Sequence, residues 1–183
     1  MIIGVVKEIM HGEGRVSATP ETVAMYCADG FRVLVEKGAG AGALFSDQDY
    51  AQAGAELLDG PAAVYGQADL VLKVKEPLFN QKLGRHELDL MHAGQCLITF
   101  IHPASPVNHD MVRTMAKRGV IGLTLDGVPR ISRAQKMDAL TSMSTCAGYK
   151  GMLIAASDLT KFMPQMFTAV GMIKPCQVMV LGT

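Results

Sequence analysis

Short β-branched or leucine-rich runs alternate with helix-like stretches, and this alternation constrains the fold of the chain more than any other feature. Ile2 to Val6, Arg32 to Glu36, Leu70 to Val74, Cys96 to Ile101 and Val120 to Leu125 are of strand length and are kept apart by segments that suit crossover helices. That pattern predicts an α/β fold with a mostly parallel, doubly wound sheet, Rossmann-like (flavodoxin-like) in type. The first crossover is well marked. Thr19 can cap a helix that has Pro20 at its first position, and Gly30 stands where a C-terminal glycine would end it. Asn108 is placed to cap a later helix through Val112, Met115 and Ala116 that stops at Gly119. With 183 residues and 49% hydrophobic composition there is ample material for a core.

After Leu125 the pattern changes. A turn at Gly127 and Pro129 and a basic stretch from Arg130 to Lys136 precede a long helical candidate, about Ala139 to Lys161. Leu140, Met143, Ala147 and Ile154 share one face of it, while Gly148 and Gly151 would let another backbone approach. We place a boundary here, with residues 1–138 forming an N-terminal α/β domain. Residues 139–183 then make a connecting helix and the first strand, Val178 to Leu181, of a second Rossmann domain. That strand runs into Gly182, as the βα turn of a dinucleotide site begins, and the two further glycines of a G-x-G-x-x-G fingerprint do not follow. The chain therefore reads as the first part of a longer nucleotide-dependent enzyme. Methionines crowd the region after residue 130, where they suit adaptable packing or a subunit contact.

Composition narrows the function classes. Lys+Arg and Asp+Glu balance at 17 each, so no strong global field draws in nucleic acid. The N-terminus turns charged too soon for a secretory signal, and no apolar stretch is long enough to span a bilayer, which reads as a cytoplasmic protein without direct membrane insertion. Cys27, Cys96, Cys146 and Cys176 are widely spaced and lack zinc-site partners, so no metal is expected. His11, His86, His92 and His109 fall in segments that read as loops or solvated helix faces.

Gly38-Ala39-Gly40-Ala41-Gly42-Ala43 formally satisfies G-x-G-x-x-A after a strand, but Leu44 and Phe45 intervene before Ser46, the better cap for a short helix through Tyr50. A flexible connector is the expected reading. Three other residues lie at or just beyond the C-terminal ends of expected strands: Arg15 in GEGRVSATP, Lys75 in LKVKEPL and His102 in TFIHPAS. In open α/β sheets that edge binds ligands. Arg15 could fork onto a carboxylate, Lys75 could add a second cation and His102 could move a proton near neutral pH. Each is also an ordinary loop charge, and Glu76 a simple surface partner for Lys75.

The stretch VPRISRAQKMDALTSMSTCAGY, residues 128–149, together with KEIMHGEGRVSATPETV, VKEP and the closing VMVLGT, closely resembles the alpha subunit of proton-translocating NAD(P) transhydrogenases, relatives of alanine dehydrogenase. The resemblance covers almost the whole chain. It implies two doubly wound domains with NAD(H) in the cleft and a homodimer. It also implies NADP(H) on a partner domain, and a membrane component to which the protein is peripheral at the inner membrane. It further implies that Arg130, Gln135 and Asp138, with Thr141 matching the family's hydroxyl, hold the nicotinamide end, and that Gly182 belongs to the cofactor turn. In alanine dehydrogenases the matches to Arg15 and Lys75 bind the substrate carboxylate and carbonyl region, and the match to His102 is the acid/base residue. Transhydrogenases often lack the last two. The leading expectation is hydride transfer from NADH to NADP+ coupled to proton translocation. The alternative is NAD-dependent deamination of L-alanine to pyruvate through Arg15, Lys75 and His102, and a third reading makes the piece only a binding or dimerisation module.

Overall fold

The computed structural model describes residues 1–181, and the chain forms two compact units, Met1–Pro129 and a second from Arg130 onward. The first unit runs β1 (Ile2–Val5), α1 (Pro20–Ala28), β2 (Arg32–Glu36), α2 (Asp47–Gln52), β3 (Glu56–Leu58), α3 (Pro61–Tyr65), β4 (Leu70–Leu72), a small hairpin of β5 (Phe79–Asn80) and β6 (Arg85–His86), then β7 (Cys96–Thr99), α4 (His109–Arg118) and β8 (Ile121–Thr124). Six strands pair in parallel in the order β3-β2-β1-β4-β7-β8. Counted in turn, this is the 3-2-1-4-5-6 order of a Rossmann sheet rather than the 2-1-3-4-5 order of a flavodoxin-like one. The chain leaves β1 toward one edge and returns at β4 to build toward the other, so β1 and β4 flank the topological switch point.

Strand periodicity feeds a separate apolar layer on each face of the sheet. Val33, Val35, Ile3 and Val5 pack with Val23 and Tyr50, while Leu34, Val71 and Leu97 pack with Val64, Tyr65, Met115 and Val120. Gly4 belongs to the second face, where a Cβ would lie 2.8 Å from Ala68 Cβ and from Val64 Cγ1, so its lack of a side chain lets α3 approach. The caps follow the expected chemistry. Thr19 Oγ1 accepts from Thr22 N, and Ser46 forms a capping box with Asp49 at the start of α2. Asn108 sits at the cap position of α4 but makes no cap bond with its side chain, which is committed elsewhere.

The Gly-rich segment departs from expectation, because it is a tight packing element rather than a flexible connector. Ala41–Ala43 form a short 3-10 turn ending on Leu44 at φ 66°. A Cβ on Gly40 would meet Tyr50 Cε2 at 2.5 Å, and one on Gly42 would meet the backbone oxygen of Gly14 at 2.7 Å. The loop that carries Arg15 therefore rests on a surface only glycine can supply. β3 has no counterpart in the sequence reading, since a three-residue edge strand offers too few residues to show a period.

In the second unit, α5 (Ala139–Asp158) is capped by Asp138, and β9 (Met166–Thr168) pairs antiparallel with β10 (Gly171–Ile173). No residue of α5 is buried, and Tyr149, Met152, Leu153 and Ile154 are exposed. Residues 174–181 form no strand, although the sequence predicts one over Val178 to Leu181. A strand exists only by pairing, and nothing among the described residues pairs with this one. No helix among the described residues is long and apolar enough to cross a membrane.

The Gly14–Gly42 contact gives a direct test. Gly42→Ala places a methyl group against backbone that cannot rotate away, and we expect it to lower unfolding free energy by about 1–3 kcal/mol in urea titration. Gly148→Ala, in open space on a helix, should be neutral or stabilising.

Candidate functional site

All six strands point the same way, so their C-terminal ends form one edge of the sheet. At the switch point the exits of β1 and β4 are tied together by charge. Glu8 Oε1 accepts from Val74 N at 2.6 Å, and Lys73 Nζ lies 3.3 Å from Glu8 Oε2 and 3.0 Å from Glu87 Oε1. The hydroxyl of Tyr65 donates to Glu87 Oε1 at 3.1 Å. Burial raises the Glu8 carboxyl above its ordinary value, although the Lys73 charge pulls it the other way. Burial also pushes the Tyr65 phenol well above its ordinary value, helped by the Glu87 charge. None of these four was singled out from the sequence. The available signal was a lysine and glutamates placed at strand exits, a pattern that surface charge produces equally often.

Arg15 is exposed and forks onto Glu13, with Nε 2.8 Å from Oε1 and Nη2 2.6 Å from Oε2. The hydrogen bonds from Arg15 hold the Glu13 carboxyl down at about 2, with the charge of nearby Lys75 adding to the effect. Arg15 and Lys75 thus both act on the Glu13 carboxylate, Arg15 by direct hydrogen bonds and Lys75 through its charge. Glu13 side-chain exposure is 8% against 45% for Arg15, so the carboxylate backs the guanidinium rather than covering it. Lys75 is half-buried, and its backbone oxygen accepts from Thr99 Oγ1 at 2.8 Å.

His102 lies beyond β7 in the left-handed region, at φ 50°, which a β-substituted residue adopts only when held there. Asp126 does the holding. It faces His102 Nδ1 at 2.7 Å through Oδ1, and its Oδ2 accepts from the backbone N–H groups of His102 at 2.8 Å and Ile101 at 3.1 Å. Thr124 Oγ1 donates to the same oxygen at 2.5 Å. Asn108 Nδ2 donates to the backbone oxygens of Ile101 and His102, which is why it is absent from the α4 cap. Phe100 stacks on the imidazole at 5.8 Å between ring centroids. Burial pushes the Asp126 carboxyl up, but the Thr124 hydroxyl, the two backbone donors and the His102 charge outweigh it and leave the group below its ordinary value.

A cleft of about 690 Å³ opens here, lined by His102, Asp126, Thr124, Ser105, Asn108 and Glu76 among others. Neither Arg15 nor Lys75 lines it. Of the three expected residues, His102 lines this cleft, and Glu76, the neighbour of Lys75, lines it too. Glu76 is not a surface partner of Lys75: its Oε2 is buried and has no hydrogen-bond partner among the described residues.

In the second unit, Asp138 and Thr141 are partners in a helix cap. Asp138 Oδ1 accepts from Thr141 N at 3.1 Å, and Oδ2 accepts from Thr141 Oγ1 at 2.5 Å. These bonds hold the Asp138 carboxyl below its ordinary value, with a smaller contribution from the Arg130 charge. Arg130 and Gln135 are exposed. Gly182 lies outside the described residues.

An open, doubly wound α/β unit with an Asp-held imidazole and cationic side chains at its switch-point edge is the layout of a ligand-handling enzyme domain. Residues 4–147 match the family described as alanine dehydrogenase/PNT, N-terminal domain, and the chain belongs to that family. It is 40% identical over 182 residues to the NAD(P) transhydrogenase subunit alpha of Cereibacter sphaeroides, covering 100% of this chain and 33% of that protein. It is 35% identical over 161 residues to the alanine dehydrogenase of Methanococcus maripaludis, covering 88% of this chain and 40% of that enzyme. The crystal structure of the transhydrogenase from Sinorhizobium meliloti superposes with a TM-score of 0.81 at 34% identity, over 96% of this chain and 50% of that one. The chain thus spans a third to a half of the length of these relatives.

Asp126→Asn weakens one charged acceptor shared by four donors, and we expect a loss of about 1–3 kcal/mol at pH 7 by denaturant titration. The carboxyl is depressed in the fold, so its contribution is present above its unfolded pKa and fades as pH falls through the folded one. The gap between wild type and variant should therefore close only below the ordinary carboxylate range.

Proposed function

We propose that this chain is the N-terminal part of the NAD(H)-handling alpha component of an NAD(P) transhydrogenase. Hydride from NADH would pass to NADP+ held on a partner domain, and a separate membrane component would couple the transfer to proton translocation. The observation that carries this reading is the reach of the likeness: the transhydrogenase alpha chain matches all of this chain, including the Arg130 to Thr141 loop, whereas the dehydrogenase match covers 88% of it. The loop fits a nicotinamide carboxamide in its chemistry. Gln135 offers an exposed amide with both donor and acceptor, and Arg130 an exposed cation, whereas Asp138 and Thr141 brace the helix behind them. In this reading the chain's residues orient the ring, which sets the face from which hydride leaves. Bound NAD(H) supplies the hydride itself. The assembly would be a homodimer, cytoplasmic and peripheral to the inner membrane.

A second reading, NAD-dependent deamination of L-alanine, is favoured by one feature. His102 is held by Asp126 in a cleft, as a proton-transfer residue must be. Arg15 and Lys75 would then anchor the substrate carboxylate. The assay uses the full-length protein, followed at the nicotinamide absorbance. We expect no reduction of NAD+ by L-alanine, and hydride transfer from NADH to an NADP+ analogue once the partner domain is added. Alanine-dependent reduction that disappears in His102→Ala would replace the first reading with the second.

A further inference from the structure

Both proposed reactions leave unused the charges buried below the switch-point crevice. The side chains of Glu8, Lys73 and Glu87 are 2%, 0% and 1% exposed. Ions removed from water to that degree are costly, and apolar replacements of such groups are often neutral or stabilising. Stability alone therefore gives little reason for them. The remaining carboxylate oxygens are more informative. Glu8 Oε1 accepts from Val74 N at 2.6 Å, and Glu87 Oε2 accepts from Leu78 N at 2.9 Å. Two carboxylates sharing one ammonium thus grip the backbone on either side of Lys75 and Glu76. Thr99 Oγ1 holds the Lys75 carbonyl from the neighbouring strand at 2.8 Å, and the Tyr65 hydroxyl steadies Glu87 from α3.

The three charges come from three places in the chain. Glu8 follows β1, Lys73 follows β4, and Glu87 opens the 3-10 turn after the hairpin. Lys73 joins them at the point where the sheet changes direction, and the segment it joins carries both features of the edge. The charge of Lys75 is felt by the Glu13 carboxyl, and Glu76 lines the His102 cleft. A loop held at one end could swing. One pinned at residues 74 and 78 through a common lysine cannot move either end without exposing a buried charge.

We infer that Glu8, Lys73 and Glu87 are positioning residues for Lys75, fixing the backbone segment that presents its ammonium as a cation of a carboxylate-binding edge. The positioning stands on the geometry, and the carboxylate ligand rests on the second reading above. None of the three touches the ligand; they act through the backbone of residues 74–78.

The test uses the full-length protein with Glu8→Gln, Lys73→Met and Lys75→Met. One readout is the rate of acetylation of Lys75 relative to the surface Lys117 of the same molecule, read by mass spectrometry. The other is binding of pyruvate, followed by ligand-observed NMR. In folded Glu8→Gln and Lys73→Met, Lys75 should be labelled at least about threefold faster relative to Lys117 as its loop opens. Pyruvate binding should weaken about tenfold, approaching the loss in Lys75→Met. A purely structural role would lower the unfolding midpoint and leave both ratios unchanged, and that result overturns the inference. If wild type does not bind pyruvate, or Lys75→Met binds it equally well, the carboxylate reading fails while the labelling ratio still decides the positioning. If Lys73→Met does not fold, Glu8→Gln decides, because it keeps the side-chain size and one acceptor oxygen while removing one of the two negative charges that face Lys73.

Discussion

A parallel sheet that reverses its direction of growth leaves a crevice where two strand exits part, and in this protein the crevice is closed from below by charge. The exits of β1 and β4 would otherwise present backbone N–H groups to an apolar interior. Glu8 satisfies one of them, and Lys73 makes the buried carboxylate tolerable. Glu87 then draws the hairpin and its following turn onto the same ammonium. Removing Lys73 would strand two carboxylates among Val6, Tyr65 and Leu88, which is why the group stands or falls together.

Above that floor the edge divides into two chemistries. On one side, Arg15 lies on Glu13, and its loop is seated on the glycine turn through the Gly14–Gly42 contact. A bound carboxylate would join a guanidinium already held in place, so little side-chain freedom is lost when it binds. On the other side, His102 is fixed by Asp126, Thr124, Phe100 and Asn108, and the unusual backbone at φ 50° is stabilised by the hydrogen bonds that Asp126 accepts from two consecutive amides. The two sides share Lys75 and Glu76, adjacent residues on one pinned segment. The second unit is of another kind: a capped helix without buried residues, followed by a small hairpin. Its apolar side chains Tyr149, Met152, Leu153 and Ile154 are exposed.

Local signals were legible in the chain, and long-range pairings were not. Strand-length apolar runs marked five of the six parallel strands, and Thr19, Pro20, Gly30, Ser46 and Gly119 marked helix ends, because capping and left-handed turns are decided within a few residues. β3 escaped because three residues on a sheet edge carry no period. Asn108 was read as a cap from its neighbours alone, yet two carbonyl oxygens across the β7 loop take its amide. The glycine turn read as a connector because the Gly14 backbone that it packs against lies far away in sequence.

The candidate site divides in the same way. Residue type and position after a strand were enough to select Arg15, Lys75 and His102, since strand exits of a parallel sheet share one edge whatever else the fold does. Which of them meet, and what each one touches, is a matter of distance in space. Only the tertiary structure put Asp126 on His102 and Lys73 between Glu8 and Glu87, because a distant carboxylate is chosen as a partner by proximity and burial, neither of which spacing along a chain records. The sequence by itself determined a parallel α/β sheet with chemistry at its C-terminal edge. The fold decided which carboxylate each of these groups meets, and it set one buried lysine beneath the segment that carries Lys75 and Glu76.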